Sequence, residues 1–451
     1  MSNSIESSAV FRRYVAMNAR SKSHAERARN VIPSGLSRGL LRHPPFPFYT
    51  TSGSGAHTTD LDGNVRLDCH GNYTALIHGQ AHPEIIAACN EQIPLGTSFS
   101  APPAAEIALA EILCERVPGV QQVVFNNSGS EAVMVAVRAA RAYTGRNRIG
   151  LFEGCYHGST DAVLVGGHDL PSPDDPVRVS RPHAVMAGLA NSATEDAVLM
   201  RYNDPEAVRE AVQQYGDELA AIIVEPTLFA GGAIPGAEAF LRTIREETER
   251  HGIVMICDEV VTLRQAVGGA QAYYGFVPDI TTMGKIIGGG FPVGAVGGQR
   301  EFISVLNAPE DGGIVANLGT FSANPMSTQA GVVAMQLLDE AAIGELNRLG
   351  DLARAGMRDV LANHNAPAQV TGTGSLFCVH WTNLPVTETR AAERASTDLG
   401  LLTYLGLSNR GVHISPRGVG CLSTPMQDAD INTLISAFDE TVAELAQEQR
   451  F

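Results

Sequence analysis

Lysine is nearly missing from this chain: it occurs only at Lys22 and Lys285, so thirty of the 32 basic residues are arginine. Positive charge is short overall, with 48 acidic residues giving a formal charge of −16. That balance excludes the clustered basic footprint of a nucleic-acid binder and a polybasic membrane-facing surface. No run of about 18 apolar residues occurs, which excludes a spanning helix. The N-terminal MSNSIESSAVFRRYVAMNARSK lacks the apolar core of a signal peptide. The seven cysteines form no CxxC pair and no metal-finger spacing, so the sequence calls for no metal and reads as reduced thiols in a cytoplasmic protein. Tryptophan is single, at Trp381. Hydrophobic residues at 44% and charged residues at 18% are globular composition and exclude disorder.

The two lysines are unlike one another. Lys22 lies in polar NARSKSHAER, whereas Lys285 lies in ITTMGKIIGGGFPVG among apolar and glycine residues. An isolated lysine in such a setting is either a costly burial or a reactive amine. A GC-rich genome explains the arginine bias without function, so it is the position of Lys285 that carries information.

The middle of the chain alternates short apolar runs with amphipathic stretches. Strands are predicted at 123–127, 148–154, 220–226, 252–260 and 295–298, with a further strand-like run in PDITTMG. Helices are predicted over 130–145, 205–216 and 237–252. Near-continuous apolar strands separated by helices predict a mostly parallel α/β sheet covered on both faces, with ligands at the carboxyl ends of its strands. The flanks read differently: a helix over about 7–31, a hairpin around Asp62-Gly63, and a C-terminal region of helix, two short strands and a final helix. The expected division is therefore a large domain over 66–328 and a smaller α+β domain built from 1–65 and 329–451.

Four polar features fall at predicted strand ends. NNSGSEA places Ser128, Gly129 and Ser130 where a strand gives way to a helix, offering amides and hydroxyls to a phosphate; an ordinary serine cap accounts for the same residues. GIVMICDEV ends on Asp258, which could face a protonated heterocyclic nitrogen or simply be a solvated carboxylate. Lys285 suits Schiff-base chemistry, and its surroundings do not match the GxxxxGK[ST] phosphate loop. FEGCYHG adds Tyr156, able to stack on a ring or merely to pack. One ligand satisfies all four: pyridoxal 5′-phosphate, with its phosphate, ring nitrogen and aldehyde. A nicotinamide site is disfavoured because no GxGxxG opens a helix.

In this order and spacing, NNSGSEA, FEGCYHG, VEP, ICDEV, TTMGKIIGGGFPVGAVGG and GTFSANP resemble the class III aminotransferases of the fold type I PLP enzymes. The resemblance implies that Lys285 forms the Schiff base and shuttles the proton, and that Asp258 pairs with the pyridinium nitrogen. It assigns Ser128, Gly129 and Ser130 to the phosphate, and Tyr156 and Val260 to the two ring faces. It further implies Glu225 near the cofactor's O3′ side and Thr320 reaching the phosphate of a neighbouring subunit, hence a homodimer with shared sites. Within the class, RAYTGRNRI, FEGCYHG and GKIIGGGFPVGAVGG resemble the glutamate-1-semialdehyde aminomutase branch. Two departures fall where the substrate pocket would be. DEVVTLRQAVGG replaces DEVxTGFR, and HGNYTALIHGQAHP lacks the usual tryptophan. SRGLLRHPPFPF and HISPRGVGCLS instead resemble β-phenylalanine aminotransferases, in which the arginine matching Arg38 holds the substrate carboxylate and that matching Arg417 borders the pocket. Leu36, Leu40, Leu41, Phe46 and Phe48 suggest that the Arg38 loop covers an apolar surface, where a guanidinium would want a carboxylate; a surface arginine paired with a nearby acid accounts for the same residue. The expected activity is amino-group transfer from an amine or amino acid, β-amino and aromatic amino acids included, to a keto acid. The alternatives are an aminomutase-type isomerase needing no separate acceptor and a catalytically silent PLP-binding protein.

Overall fold

The computed structural model describes residues 5–166 and 170–451. The chain divides into two compact units, one comprising 83–344 with 387–393, the other 1–82, 345–386 and 394–451.

The larger unit is built on an eight-stranded sheet. Across it run Gln122–Asn126, Gly294–Gly298, Ile280–Gly284, Val254–Asp258, Leu219–Val224, Arg148–Phe152, Ala197–Met200 and Val179–Ser180. The four strands at its centre, from Ile280–Gly284 to Arg148–Phe152, pair parallel, as does Ala197–Met200. Gly294–Gly298 and Val179–Ser180 run antiparallel to their neighbours. LAAIIV and VMICD are buried at every position, as a sheet covered on both faces requires. The helix Gly129–Thr144 lays Ala132, Ala136, Ala139 and Ala140 into the same core as Ile149, Ile223 and Ile256. The predicted helices appear as Gly129–Thr144, Pro205–Tyr215 and Glu238–His251. Sequence reading missed Ala197–Met200, whose AVLM is too short a run to separate from a buried helix turn.

The smaller unit joins both chain ends. Thr50–Ser54, His57–Asp60 and Val65–Asp68 form an antiparallel meander, to which Val412–His413 adds in parallel. Gly63 takes the turn of the predicted hairpin at φ +87°. The expected N-terminal helix is two helices, Ala9–Met17 and Ala19–Ala28. The break comes at Asn18, whose amide donates back to the Tyr14 carbonyl while its oxygen accepts from the buried Arg66.

The unit boundaries lie beyond those drawn from sequence. Val65–Asp68 pairs with strands on both sides of it, which keeps 66–82 in the smaller unit. Ala330 and Ala334 pack with Ile85 and Cys89, which keeps 329–344 in the larger. Among the described residues, no helix is long and apolar enough to cross a membrane.

Candidate active site

Pairing across the sheet, parallel at its centre and antiparallel through Gly294–Gly298, brings the carboxyl ends of distant strands to one edge. Asp258 stands opposite Thr282, Cys257 opposite Val224, and Gly284 and Asn126 both opposite Gly294. The residues that follow those positions — Ser128 to Ser130, Glu225, Val260 and Lys285 — are therefore neighbours although up to 157 residues apart in sequence.

Ser128 caps the helix Gly129–Thr144, its Oγ accepting from the Glu131 amide at 3.2 Å, and Glu131 accepts in return from the Asn127 amide at 2.7 Å. The serine cap expected from sequence is thus present. The amides of Gly129 and Ser130 meet no acceptor among the described residues, and they point out of a sixteen-residue helix. The surroundings need glycine. A Cβ on Gly294 would stand 2.0 Å from the Ser128 carbonyl, and one on Gly129 would stand 3.0 Å from Val260 Cγ1.

Asp258 is buried at 4% exposure and fully engaged. Its Oδ2 lies 2.7 Å from His157 Nδ1, and its Oδ1 accepts from Thr282 Oγ1 and the Val260 amide, each at 3.1 Å. It is not a solvated strand-end acid. Burial alone would depress the His157 imidazole, but Cys155 and the Asp258 carboxylate overcome it and hold its pKa well above the ordinary value. Its buried Nε2 has no hydrogen-bond partner among the described residues. Sequence reading passed over His157; the only signal was its place in FEGCYHG, and nothing local says that it meets Asp258, 101 residues on.

Glu225 accepts from the amides of Tyr156 at 2.9 Å and Phe229 at 3.2 Å. Burial pushes its carboxyl up to about 7, with His157 opposing the rise and Asp258 adding to it. The second acid of DEV does different work. Glu259 is fully buried, accepts from Thr262 Oγ1 and from the amides of Ala270 and Gln271, and so staples the segment after the strand. Tyr156 is exposed, held through its amide. Lys285 is half-buried, directly after its strand, at φ +49°. Thr320 is exposed between Leu318 and Phe321, themselves 82% and 59% exposed.

Arg38 and Arg417 belong to the smaller unit, both exposed. The Arg38 loop is only partly the apolar cover expected: Phe46 is buried against Tyr14, but Leu40 is 51% exposed in the short turn Gly39–Leu41. Arg38 has no carboxylate partner among the described residues. Its Nη1 donates to Asn72 Oδ1 at 2.5 Å, and its guanidinium lies 5.5 Å from the centre of the Tyr73 ring. Burial raises the Tyr73 phenol, while Ser415, Arg38 and Arg417 pull it back.

Among the described residues, no group of three or more His, Cys, Asp or Glu could hold a metal ion. What the edge of the larger unit offers is a pair of free amides at a helix N-terminus, a buried carboxylate backed by a histidine, and one lysine. These match a phosphate, a protonated ring nitrogen and an aldehyde, so the residues present fit pyridoxal phosphate.

Known proteins agree. The family model "Aminotransferase class-III" matches residues 41–419. Over 424 residues the chain is 39% identical to glutamate-1-semialdehyde 2,1-aminomutase of Methanothermobacter thermautotrophicus, covering 93% of this chain and 98% of that protein. An ω-transaminase from Sphaerobacter thermophilus has the same fold at TM-score 0.89 and 42% identity, covering 94% of this chain and 97% of that one. A transaminase with PLP bound gives 0.89 and 36%, covering 96% and 99%. A β-phenylalanine aminotransferase from Variovorax paradoxus gives 0.88 and 32%, covering 97% of each. The architecture is that of fold type I, a large mostly parallel-sheet domain with a smaller α+β domain from both chain ends. Since the family match spans residues 41–419, which include every strand-end residue from Ser128 to Lys285, the chain belongs to the class III aminotransferases and its cofactor is pyridoxal 5′-phosphate.

Proposed function

We propose that this protein moves the amino group of a carboxylate-bearing amine, a β-amino or aromatic amino acid being the fitting class, onto a keto acid. The observation that carries the substrate class is Arg38, a guanidinium whose hydrogen bond goes to a neutral acceptor and which has no carboxylate of its own among the described residues. Its remaining N–H donors form the planar fork that takes a carboxylate bidentately.

Pyridoxal phosphate, when bound, supplies an aldehyde that condenses with amines and a ring that accepts the electron pair released at the substrate carbon. In this reading Ser128, Gly129 and Ser130 bind the phosphate. Asp258, steadied by His157, accepts a hydrogen bond from the ring nitrogen and keeps it protonated. Tyr156 and Val260 cover the ring faces, and Glu225 lies on the O3′ side. Lys285 would bind the aldehyde through Nζ, and the same Nζ, when free, would be the base that takes the proton from the substrate carbon that carries nitrogen. Arg38 anchors the substrate carboxylate, with Arg417 at the pocket border.

A homodimer and a cytoplasmic setting belong to the same proposal. The exposed Leu318 and Phe321 on either side of Thr320 support a partner subunit covering that loop. Seven cysteines, none in a disulfide, support a reducing compartment.

The second reading is intramolecular transfer, in which no acceptor is needed. The name of the Methanothermobacter relative, glutamate-1-semialdehyde 2,1-aminomutase, favours it over transfer to a keto acid. The transaminase neighbours at 42% and 32% favour transfer, as do the departures in HGNYTALIHGQAHP and at 261–266. Purified holoenzyme given β-phenylalanine should need added 2-oxoglutarate or pyruvate to turn over. Conversion of glutamate-1-semialdehyde without acceptor, and no transfer from any amino acid with one, would establish the second reading instead. Arg38→Ala should raise KM for amino-acid donors by ~10²-fold, the loss of a charged hydrogen bond of ~2–3 kcal/mol, and affect 1-phenylethylamine much less.

A further inference from the structure

Gly71, Asn72, Tyr73 and Thr74 have φ of +51°, +52°, +54° and +74°, so one short segment runs left-handed over four residues, three of which carry a Cβ. Each such residue brings its Cβ against a carbonyl oxygen, and a run of them persists only where the surroundings over-determine it. Here they do. Asp68 Oδ1 accepts from the amides of His70 and Gly71 at 3.1 and 3.0 Å, and its Oδ2 accepts from Gln80 Nε2 at 2.8 Å. His70 Nδ1 accepts from the Tyr73 amide at 3.3 Å, and the His70 ring stands edge-on to Tyr73 with centres 4.2 Å apart.

The turn delivers two side chains to one target. Asn72 Oδ1 takes a hydrogen bond from Arg38 Nη1, and the Tyr73 ring lies under the same guanidinium. Tyr73 Oη donates to the Leu40 carbonyl at 2.9 Å, tying down the loop that carries Arg38. In a right-handed or extended segment, side chains at 72 and 73 would point elsewhere, and these contacts would be lost together. Asparagine is among the few non-glycine residues that enter the left-handed region readily.

We propose that Asn72 is a positioning residue that orients the Arg38 guanidinium, and so sets the preference for carboxylate-bearing amino donors, with the left-handed turn Gly71–Thr74 as the device that presents it. The inference rests on Arg38 being the carboxylate anchor. Its distinguishing element is charge. The Asn72 amide oxygen fixes the rotamer of Arg38 but leaves the full positive charge for the substrate, whereas an acid in the same place would fix it and neutralise it.

Two variants tolerate φ near +52° and so keep the turn: Asn72→Gly removes the acceptor, and Asn72→Asp keeps the acceptor but adds an internal counter-ion. Both are compared as holoenzyme with wild type and Arg38→Ala, with β-phenylalanine and 1-phenylethylamine as donors. Asn72→Gly should raise KM for β-phenylalanine by ~10-fold with kcat nearly unchanged, the order for one hydrogen bond to a charged group. Asn72→Asp should raise it further, by ~10²-fold, because the substrate carboxylate must displace one already paired. Neither should move KM for 1-phenylethylamine by more than ~2-fold. If Arg38→Ala discriminates between the donors but both Asn72 variants keep the wild-type ratio of KM values, the inference is wrong and the Arg38 reading stands. If Arg38→Ala itself affects both donors equally, the Arg38 reading has failed and the inference falls with it.

Discussion

Arg390 and Glu153 form an ion pair with both side chains at 0% exposure, and they lie 237 residues apart in sequence. Arg390 Nε and Nη2 reach Glu153 Oε2 and Oε1 at 2.7 and 2.8 Å, and Nη2 also donates to the Val177 carbonyl at 2.7 Å. Ser180 Oγ donates to the same carboxylate at 2.5 Å. The pair fixes 387–393 to the end of the strand from which Tyr156 and His157 follow, and Thr389 adds a bond to the Glu153 carbonyl at 2.9 Å. Replacing Arg390 by methionine keeps most of the side-chain volume but strands a buried carboxylate with one hydroxyl. Breaking such a pair from one side costs about 3–5 kcal/mol, whereas replacing both partners with apolar groups is often neutral or better. For a unit of this size in guanidinium chloride, a slope near ~5 kcal/mol/M converts that loss to a midpoint shift of ~0.6–1 M. Chemical unfolding followed by circular dichroism is the assay, run on wild type, Arg390→Met, Glu153→Leu and the double variant. The double variant should recover at least half of the larger single loss. A shift below ~0.2 M for Arg390→Met, or a double variant showing the plain sum of the singles, would refute the argument that the stranded charge dominates.

Three other outcomes follow from the geometry. His157→Phe removes the short bond to Asp258 while Thr282 and the Val260 amide remain, so PLP affinity of the apoenzyme, read by absorbance titration, should fall by ~10- to 10²-fold; unchanged affinity would detach His157 from the cofactor. Thr320→Ala should weaken PLP binding and lower the melting temperature of holoenzyme more than that of apoenzyme, because a ligand stabilises only the state that binds it; equal shifts count against a phosphate role. Burial holds His43 at about 4 despite the Pro44 carbonyl, below the usual 6.5, so the unfolded chain takes up that proton first. Stability should therefore fall as pH drops from about 6.5 to about 4, His43 contributing up to ~3 kcal/mol of the loss. His43→Gln should flatten that limb; a slope as steep as wild type would exclude His43 as its source.

Much of the site is legible in the residues alone. SEAVMVAVRAARAYTG declares its helix by spacing, Ser128 and Gly145 mark its ends, and apolar runs ending in polar residues point to a strand edge. A parallel sheet gathers its carboxyl ends on one side, so knowing that these are parallel strands already places Ser128, Glu225, Asp258 and Lys285 together. These readings succeed because caps, periodicity and strand alternation are set by residues within a turn or two of one another. What required tertiary structure is whatever depends on which distant segment arrives. Asp258 could have been a solvated acid; His157, delivered by a strand a hundred residues earlier, makes it a buried and partnered one. Arg390 is one arginine among thirty until the 387–393 segment sets it on Glu153. The break at Asn18 follows from Arg66 reaching an asparagine that local propensity would leave inside a helix. The left-handed turn at Gly71–Thr74 is the sharpest instance, because every local preference of Tyr73 and Thr74 opposes it. Hydrogen bonds to Asp68 and His70 hold it, and no periodicity in the sequence records that they meet it.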